Sequence, residues 1–463
     1  MKKRIWLFIA LVAVISLLTF PVLSCGDDNI NENKNGDKVI DDSLFAIKSP
    51  YAGVNWDTFG QYKAAQHVHT RNSDGSGTME AVLKIHYDLG YDIIGITDHV
   101  WVDLDASKGH PAGAATRPYL NMVSRSVTQT EWPGLPGGMM IPLTHITQER
   151  KTEFETGTAA AATQGTYTRP PNKPMLIVPG TAEFALEVGG EEMNVFFFTG
   201  NAPGGWTTNL RGGIQVAAAC PEAVFFINHP GRTTTAQNFR VTDSRTGVAG
   251  VTTDLANPSN MNNWIVKYAN LFMEFPSTKL TGLEVFNRRD IDSLHDRVLW
   301  DNINSRTIPE GRFVWGYAND DLHSTSIASD LSGNGIHINY NVFVMPENTL
   351  ANFKSAMIGG QSYMVTVCGY NERINILAAT AAALRPSITS ITTGKDSITI
   401  VAENAEKIVW ISNGKTILET IGDSGTINLA DAEITDQVGA YVRANIIGEF
   451  GMALIQPIGT KKR

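Results

Sequence analysis

The stretch Gln66-His67-Val68-His69-Thr70, with Asp74 five residues past His69, decides how the rest of the chain is read. It lies at the end of a short run, Tyr62 to Gln66. On an extended backbone alternate side chains share a face, so His67 and His69 project together. Two neutral imidazoles side by side suit a transition-metal ion, and Asp74 brings a carboxylate within reach of the same place. A lone His-x-His is weak evidence, because short motifs match often. Its weight comes from where the other histidines and acids fall.

Downstream, Met79, Val82, Leu83, Ile85 and Leu89 recur at roughly helical spacing. The pattern predicts a helix from Thr78, a good N-cap, to a stop at Gly90. A short apolar strand follows, Asp92 to Ile96, and ends in Thr97-Asp98-His99. Strand, helix and strand make a βαβ unit with a polar triplet at the strand's carboxyl end. The pattern of apolar run and polar ending then repeats. Met175 to Val178 leads to Pro179-Gly180-Thr181-Ala182-Glu183, and Asn194 to Phe198 is a further run. Ala223 to Ile227 leads to Asn228-His229-Pro230-Gly231-Arg232. Leu283 to Phe286, containing Glu284, leads to Asn287, and Phe313 to Tyr317 leads to Asn319-Asp320-Asp321-Leu322-His323. Continuous apolar runs read as buried parallel strands, and in an α/β barrel the functional residues sit where strands end. A core histidine accounts for any one of these endings but not for their repetition. His86, His295 and His337 lack the placement and are expected in structural or surface roles.

The chain begins with Lys2, Lys3 and Arg4, then an apolar run from Ile5 to Leu23, then Ser24-Cys25 and a polar stretch. That order is a secretory signal. It resembles a bacterial lipoprotein signal, cut after residue 24, with Cys25 lipidated and the protein held in the cell envelope outside the cytoplasm. An uncleaved membrane anchor is the alternative. Loss of the three cations takes the net charge from -9 to -12. Residues 25–45 are almost free of apolar side chains and are expected to be a flexible tether. Cys220 and Cys368 are too few for a disulfide framework and are expected as buried thiols, with pairing as the alternative.

Hydrophobic residues make up 43% and charged residues 18% of the 463, an ordinary globular balance that argues against wholesale disorder. The acidic charge offers no electrostatic case for nucleic acid, and no protein partner is evident. The expected fold class is α/β, with a barrel domain over 46–385 followed by a small all-β sandwich over 386–463. The segment from about 104 to 173 is rich in Gly, Pro, Thr and Ala. It is too long for an ordinary connection and is expected to be an insertion over the active face. Its His110 and His145 read as loop histidines. A helix is expected over Glu347 to Ile358, after Pro346. Past Pro386 short strands alternate with period two, and Asn413-Gly414 signals a hairpin.

Taken in order, His67-Val68-His69-Thr70 with Asp74, Thr97-Asp98-His99, Glu183, His229-Pro230 and Asp321-Leu322-His323 resemble the PHP family, named for polymerase and histidinol phosphatase. The resemblance covers about 65 to 325, and the C-terminal β module resembles the tail of extracellular relatives. It implies a distorted, TIM-like (β/α)7 barrel and two or three divalent ions, zinc, manganese or iron. It further implies hydrolysis of a small phosphorylated substrate. By position, His67, His69 and Glu183 would hold one part of the cluster, Asp74, His99 and His229 the others, and Asp321 with His323 would close the site. Asp98 is expected to orient a neighbour, and Arg232 to grip a phosphate oxygen with its planar fork; a surface cation is the plainer reading of Arg232. Glu192 stands about where family members carry a histidine. As a ligand it completes three ions; turned to solvent, it leaves two.

Clustered divalent ions neutralise a phosphomonoester's charge and acidify water, which is the chemistry such a reaction needs. The leading expectation is therefore a lipid-anchored metal-dependent phosphoesterase. A metal-dependent hydrolase of amides or lactones, whose barrel also begins with His-x-His, is the second. A non-catalytic surface binding protein of the same fold is the third.

Overall fold

The computed structural model describes residues 30–32, 38–40, 43–71, 73, 75–100, 132–135, 139–141, 146–164, 167–185, 191–199, 209–231, 258–288, 293–325, 336–367 and 384–463. The chain divides into two compact units, Met1–Ser43 and Leu44–Arg463. In the first, Ile30–Glu32 pairs antiparallel with Lys38–Ile40. The signal segment 1–24, Cys25 and most of the 104–173 insertion lie outside the described residues. Among the described residues no helix is long and apolar enough to cross a membrane.

The second unit is mixed α/β. Its first strands are β1 (Phe45–Lys48) and β2 (Gly60–Ala65), followed by helix α1 (Met79–Asp88) and strand β3 (Ile93–Ile94). The Thr78 side chain accepts the N–H of Ala81 at 3.2 Å, capping α1. Past the helix, Gly90 takes a left-handed φ of 79°, a stop that a side chain would strain. β2 and β3 are parallel, with Ala64 opposite Ile93, so the first βαβ unit is as the periodicity predicts.

The chain continues through β4 (His99–Val100), α2 (Gln148–Thr156), β5 (Leu176–Ile177), β6 (Ala182–Ala185) and β7 (Glu192–Phe196). Next come α3 (Leu210–Ala219), β8 (Val224–Asn228), α4 (Pro258–Glu274), β9 (Leu280–Asn287), α5 (Ser293–Thr307) and β10 (Trp315–Asn319). Strands β10, β9, β8, β7, β6 and β4 form one sheet in that order. β7 runs antiparallel to both neighbours, so its apolar run is not the parallel strand the sequence suggests. The other joints of this sheet are parallel.

After β10 come β11 (Asn339–Met345), α6 (Leu350–Gly359) and β12 (Ser362–Thr366). α6 starts three residues later than expected because Thr349, not a residue before Glu347, caps it through Asn352 N–H. β11 pairs with β2, and β2 with β3 and then β5, so these strands form a second sheet. Among the described residues the two sheets do not close into one hydrogen-bonded barrel. They meet at two seams. At one, Phe197 and Phe198 donate to the carbonyls of Pro179 and Gly180, at 3.1 and 3.0 Å. At the other, Val68 and Leu322 form an isolated parallel bridge. The ladder stops there because the chain leaves extended geometry, with Asp321 at φ 48°.

The eight C-terminal strands are β13 (Ser387–Thr393), β14 (Ser397–Glu403), β15 (Lys407–Ser412), β16 (Lys415–Ile421), β17 (Ser424–Asn428), β18 (Tyr441–Gly448), β19 (Gly451–Ile455) and β20 (Ile458–Lys462). Four of them, β15, β16, β18 and β19, continue the second sheet. β12 pairs with β19, and through β18 the sheet runs on to β15 and β16. Residue 386 thus marks a change of strand pattern inside a sheet that extends past it. Asn413 and Gly414, at φ 48° and 70°, make the hairpin turn between β15 and β16. β13, β14 and β17 form a three-stranded sheet whose Ile388, Ile391, Ile398 and Ile427 share a core with Trp410 and Ile446. A buried ion pair ties this region to α5: two of the three guanidinium nitrogens of Arg443, Nε and Nη2, lie 2.7 Å from the Asp301 carboxylate. Cys220 is a buried free thiol; Cys368 lies outside the described residues.

Candidate metal centre

His67 and His69 follow β2 directly, and both imidazoles are buried with ring centroids 5.1 Å apart. The outer nitrogens are held from behind. His67 Nδ1 lies 2.8 Å from Glu284 Oε1, and His69 Nδ1 lies 3.3 Å from Ser73 Oγ. Each ring therefore turns Nε2 inward. Asp321 Oδ1 sits between them, 3.3 Å from His67 Nε2 and 3.1 Å from His69 Nε2.

Glu183, at the start of β6, is the central carboxylate. Its Oε1 lies 3.2 Å from His67 Nε2 and 3.6 Å from His229 Nε2. Its Oε2 lies 3.2 Å from both His69 Nε2 and His99 Nδ1. Glu192, at the edge of β7, reaches His229 Nε2 at 3.0 Å and His99 Nδ1 at 3.9 Å. His323 Nδ1 lies 3.4 Å from Asp321 Oδ1. Among the described residues, four groups could each hold an ion: His67, Glu183 and His229; His67, His69 and Asp321; His69, His99 and His323; His99, Glu183 and Glu192.

The donor set fits divalent metal. Two ligands about 2.0–2.1 Å from a tetrahedral zinc stand about 3.3 Å apart, which matches the 3.1–3.3 Å contacts around Asp321 Oδ1. His67 Nε2 and Glu183 Oε2 are buried and make no hydrogen bond among the described residues, although each faces oppositely polarised atoms. Such contacts without hydrogen-bond geometry are those of ligands aimed at a shared ion. The charges agree. Burial works to lower the His67 pKa, but Glu183, Asp321 and Glu284 hold it well above the ordinary value. His69, opposed by the same burial, is pushed up to about 10 by Asp321 and Glu183. Burial works to raise Glu183, and His67 and His99 hold it well below the carboxylate range. The pocket calls for added positive charge.

Asp98 joins none of these groups. It accepts Thr70 N–H at 2.6 Å, Thr70 Oγ1 at 2.7 Å and Ser73 Oγ at 2.7 Å, bracing the turn after His69. Burial raises its pKa, against those hydrogen bonds. Asp74 and Arg232 lie outside the described residues, as do His110 and His145 and the side chain of His295. His86 and His337 are buried and join none of the four groups. His86 Nδ1 lies 2.7 Å from Val82 O, and His337 Nε2 lies 2.7 Å from Lys63 Nζ.

Several residues at the site were not singled out from sequence. Asn228 donates to Glu183 Oε1 at 2.6 Å and to Asn194 Oδ1 at 2.9 Å. Glu284 receives His67, and Arg288 lies at the rim, its Nε 2.9 Å from Asp321 Oδ2 and its Nη2 2.9 Å from His323 Nδ1. One signal was available: Glu284 is a carboxylate inside an apolar run, and such residues are seldom fully buried unless paired. The backbone is strained at three of these positions, His229, Arg288 and Asp321, with φ of 22°, 49° and 48°. Left-handed geometry in residues with side chains costs roughly 1–3 kcal/mol each and clusters at functional sites.

No family model and no curated protein matches the chain. Among solved structures it is similar to a two-domain protein containing a predicted PHP-like metal-dependent phosphoesterase from Bacteroides vulgatus, with 12% sequence identity, 88% of each chain covered and a TM-score of 0.37.

Proposed function

We propose that this chain is a metal-dependent phosphoesterase acting on small phosphomonoesters. The observation that carries the reading is the convergence of His67, His69, His99 and His229 on the Glu183 and Asp321 carboxylates, through contacts of 3.6 Å or less, from strand ends far apart in sequence. The same convergence supports reading the two sheets as the halves of a distorted barrel. When bound, divalent ions in this cluster neutralise a phosphoester's charge and make water acidic enough to attack near neutral pH.

The protein's own part is to hold and orient. Glu183 and Asp321 each face two or more imidazoles and would hold divalent ions together with them. Glu192 is only 17% exposed and faces two imidazoles, which supports a third position; the imidazoles of the cluster favour zinc, iron or manganese over calcium. Arg288, 23% exposed, offers its guanidinium at the rim, where an anionic substrate arrives. His67, His69, Glu183, His229 and Asp321 are each buried, which keeps their ligand atoms out of bulk water.

The order of the N-terminal residues supports export and lipidation at Cys25, and with them a position in the cell envelope. A cysteine carrying two or more acyl chains anchors firmly, and Cys25→Ala should release the protein from the membrane or stall its processing. The function is tested by phosphate release from a panel of phosphomonoesters, run beside amides and lactones, with zinc, manganese and iron supplied separately. Hydrolysis of phosphomonoesters that stops on chelation supports the reading. Absence of phosphate release from protein shown to hold two or more ions rejects it, and cleavage of amides or lactones instead would assign the hydrolase to that class.

A further inference from the structure

We propose that Glu284 is a positioning residue that sets the ring tautomer of His67, and through it the metal affinity of the cluster; this rests on reading the cluster as a metal site. Glu284 lies on β9 and is fully buried. Its Oε1 faces His67 Nδ1 at 2.8 Å and Asn319 Nδ2 at 2.8 Å. Its Oε2 faces the backbone N–H of His229 at 3.0 Å and Asn287 Nδ2 at 2.9 Å.

The direction of these bonds follows from the backbone. Ala318 N–H can only donate, and it donates to Asn341 Oδ1 at 2.9 Å. Asn341 must then present Nδ2 to Asn319 Oδ1, at 3.2 Å, and to Gln66 Oε1, at 3.0 Å. Asn319, its oxygen used, must present Nδ2 to Glu284. At the other oxygen His229 N–H can only donate. Glu284 is thus an acceptor on both sides, and the nitrogen of His67 that faces it must carry the ring proton. A neutral imidazole has one N–H. With the proton on Nδ1, the Nε2 lone pair points at the space shared with Glu183 and Asp321. This is the carboxylate–histidine arrangement that orients metal-bound imidazoles.

A matching amide supports the second carboxylate. Asn194 N–H donates to Asn228 Oδ1 at 3.1 Å, which turns Asn228 Nδ2 toward Glu183 Oε1. Asn194 Nδ2 in turn donates to Gln66 O at 2.9 Å. A layer of buried amides, from Asn194 through Gln66 and Asn341 to Asn319, therefore lies beneath the cluster, with its polarity set by backbone donors.

Glu284→Gln keeps the size of the side chain but must place an NH2 on one side. On the Oε1 side it opposes Asn319 and forces the proton of His67 onto Nε2. On the Oε2 side it opposes His229 N–H, where the backbone is held at φ 22°. Either way one imidazole ligand is lost or misaimed. The test uses the full chain with zinc and with cobalt(II). Metal affinity is read by competition with a chelator, and the His67 ring by 15N NMR of histidine-labelled, zinc-loaded protein. The proposal expects wild-type His67 protonated on Nδ1 with Nε2 bound to metal. It expects Glu284→Gln to weaken binding by roughly 10–100-fold, with an altered cobalt spectrum. Wild-type His67 bound through Nδ1, or a Glu284→Gln protein whose affinity stays within about twofold, overturns the proposal. If the variant does not fold, the wild-type NMR decides alone. A wild-type chain that binds no metal overturns the metal-site reading and this proposal together, whereas an unchanged variant beside a metal-binding wild type overturns this proposal only.

Discussion

Asp321 Oδ1 lies 3.1 Å from His69 Nε2, although His69 follows β2 and Asp321 follows β10, about 250 residues later. The isolated bridge between Val68 and Leu322 holds the two turns in register. Asp321→Asn keeps the shape of the side chain but removes the charge that faces both His67 and His69. We expect at least one bound ion to be lost and phosphomonoester turnover to fall by about 100-fold or more, with kcat affected rather than KM alone. Elemental analysis beside steady-state kinetics checks this; full retention of both would remove Asp321 from the ligand set.

On the proposed metal-site reading, Glu192 separates a two-ion centre from a three-ion one. Its Oε2 lies 3.0 Å from His229 Nε2. Glu192→Ala should lower the metal count of gently purified protein by one ion per chain, and Glu192→His should keep it. An unchanged count in the alanine variant would make Glu192 only a partner of His229.

Metal should also stabilise the folded chain. An ion that binds only the native state adds about 2.7 kcal/mol when its concentration is 100 times Kd. Thermal unfolding with and without zinc, after chelation, should show a rise in Tm that grows with zinc concentration. A Tm that ignores zinc would mean that the cluster is not a binding site.

The Arg443–Asp301 pair should matter more than a surface ion pair. Both side chains are buried, and Tyr441 OH also donates to Asp301 at 2.6 Å. Removing one partner strands a buried charge, at a cost of about 3–5 kcal/mol. Urea unfolding of Arg443→Met should show a loss of that order, and combining it with Asp301→Leu should recover much of it. Equal losses in the single and double variants would contradict this account.

His86 makes stability depend on pH. Burial depresses its pKa from 6.5 to about 4, against the Val82 carbonyl and with a push from Lys63. A depressed histidine binds its proton more readily in the unfolded chain, so its contribution is complete above pH 6.5 and is lost as pH falls toward 4. The full effect is roughly 3 kcal/mol. Unfolding free energies at pH 7 and pH 5 should differ more in the wild type than in His86→Gln. Equal differences would show that His86 is not the group responsible.

Much of this was legible in the order of residues. The first βαβ unit followed from period and caps, because Thr78 and Gly90 act through bonds a few residues long. The strand ends bearing His67, His99, His229 and Asp321 stood out because each interrupts or closes an apolar run. Local signals also located the Asn413-Gly414 hairpin, whose two left-handed residues need no distant partner. Other features were decided only by the folded chain. The antiparallel course of β7 depends on which neighbours it meets, not on its own apolar pattern. The continuation of the second sheet into β15, β16, β18 and β19 depends on pairing between β12 and β19, which no local period encodes. The amide layer under the cluster is least visible of all. Gln66, Asn194, Asn319 and Asn341 look like ordinary polar residues until tertiary structure buries them together, where each donor must find an acceptor and the direction of every bond becomes determined.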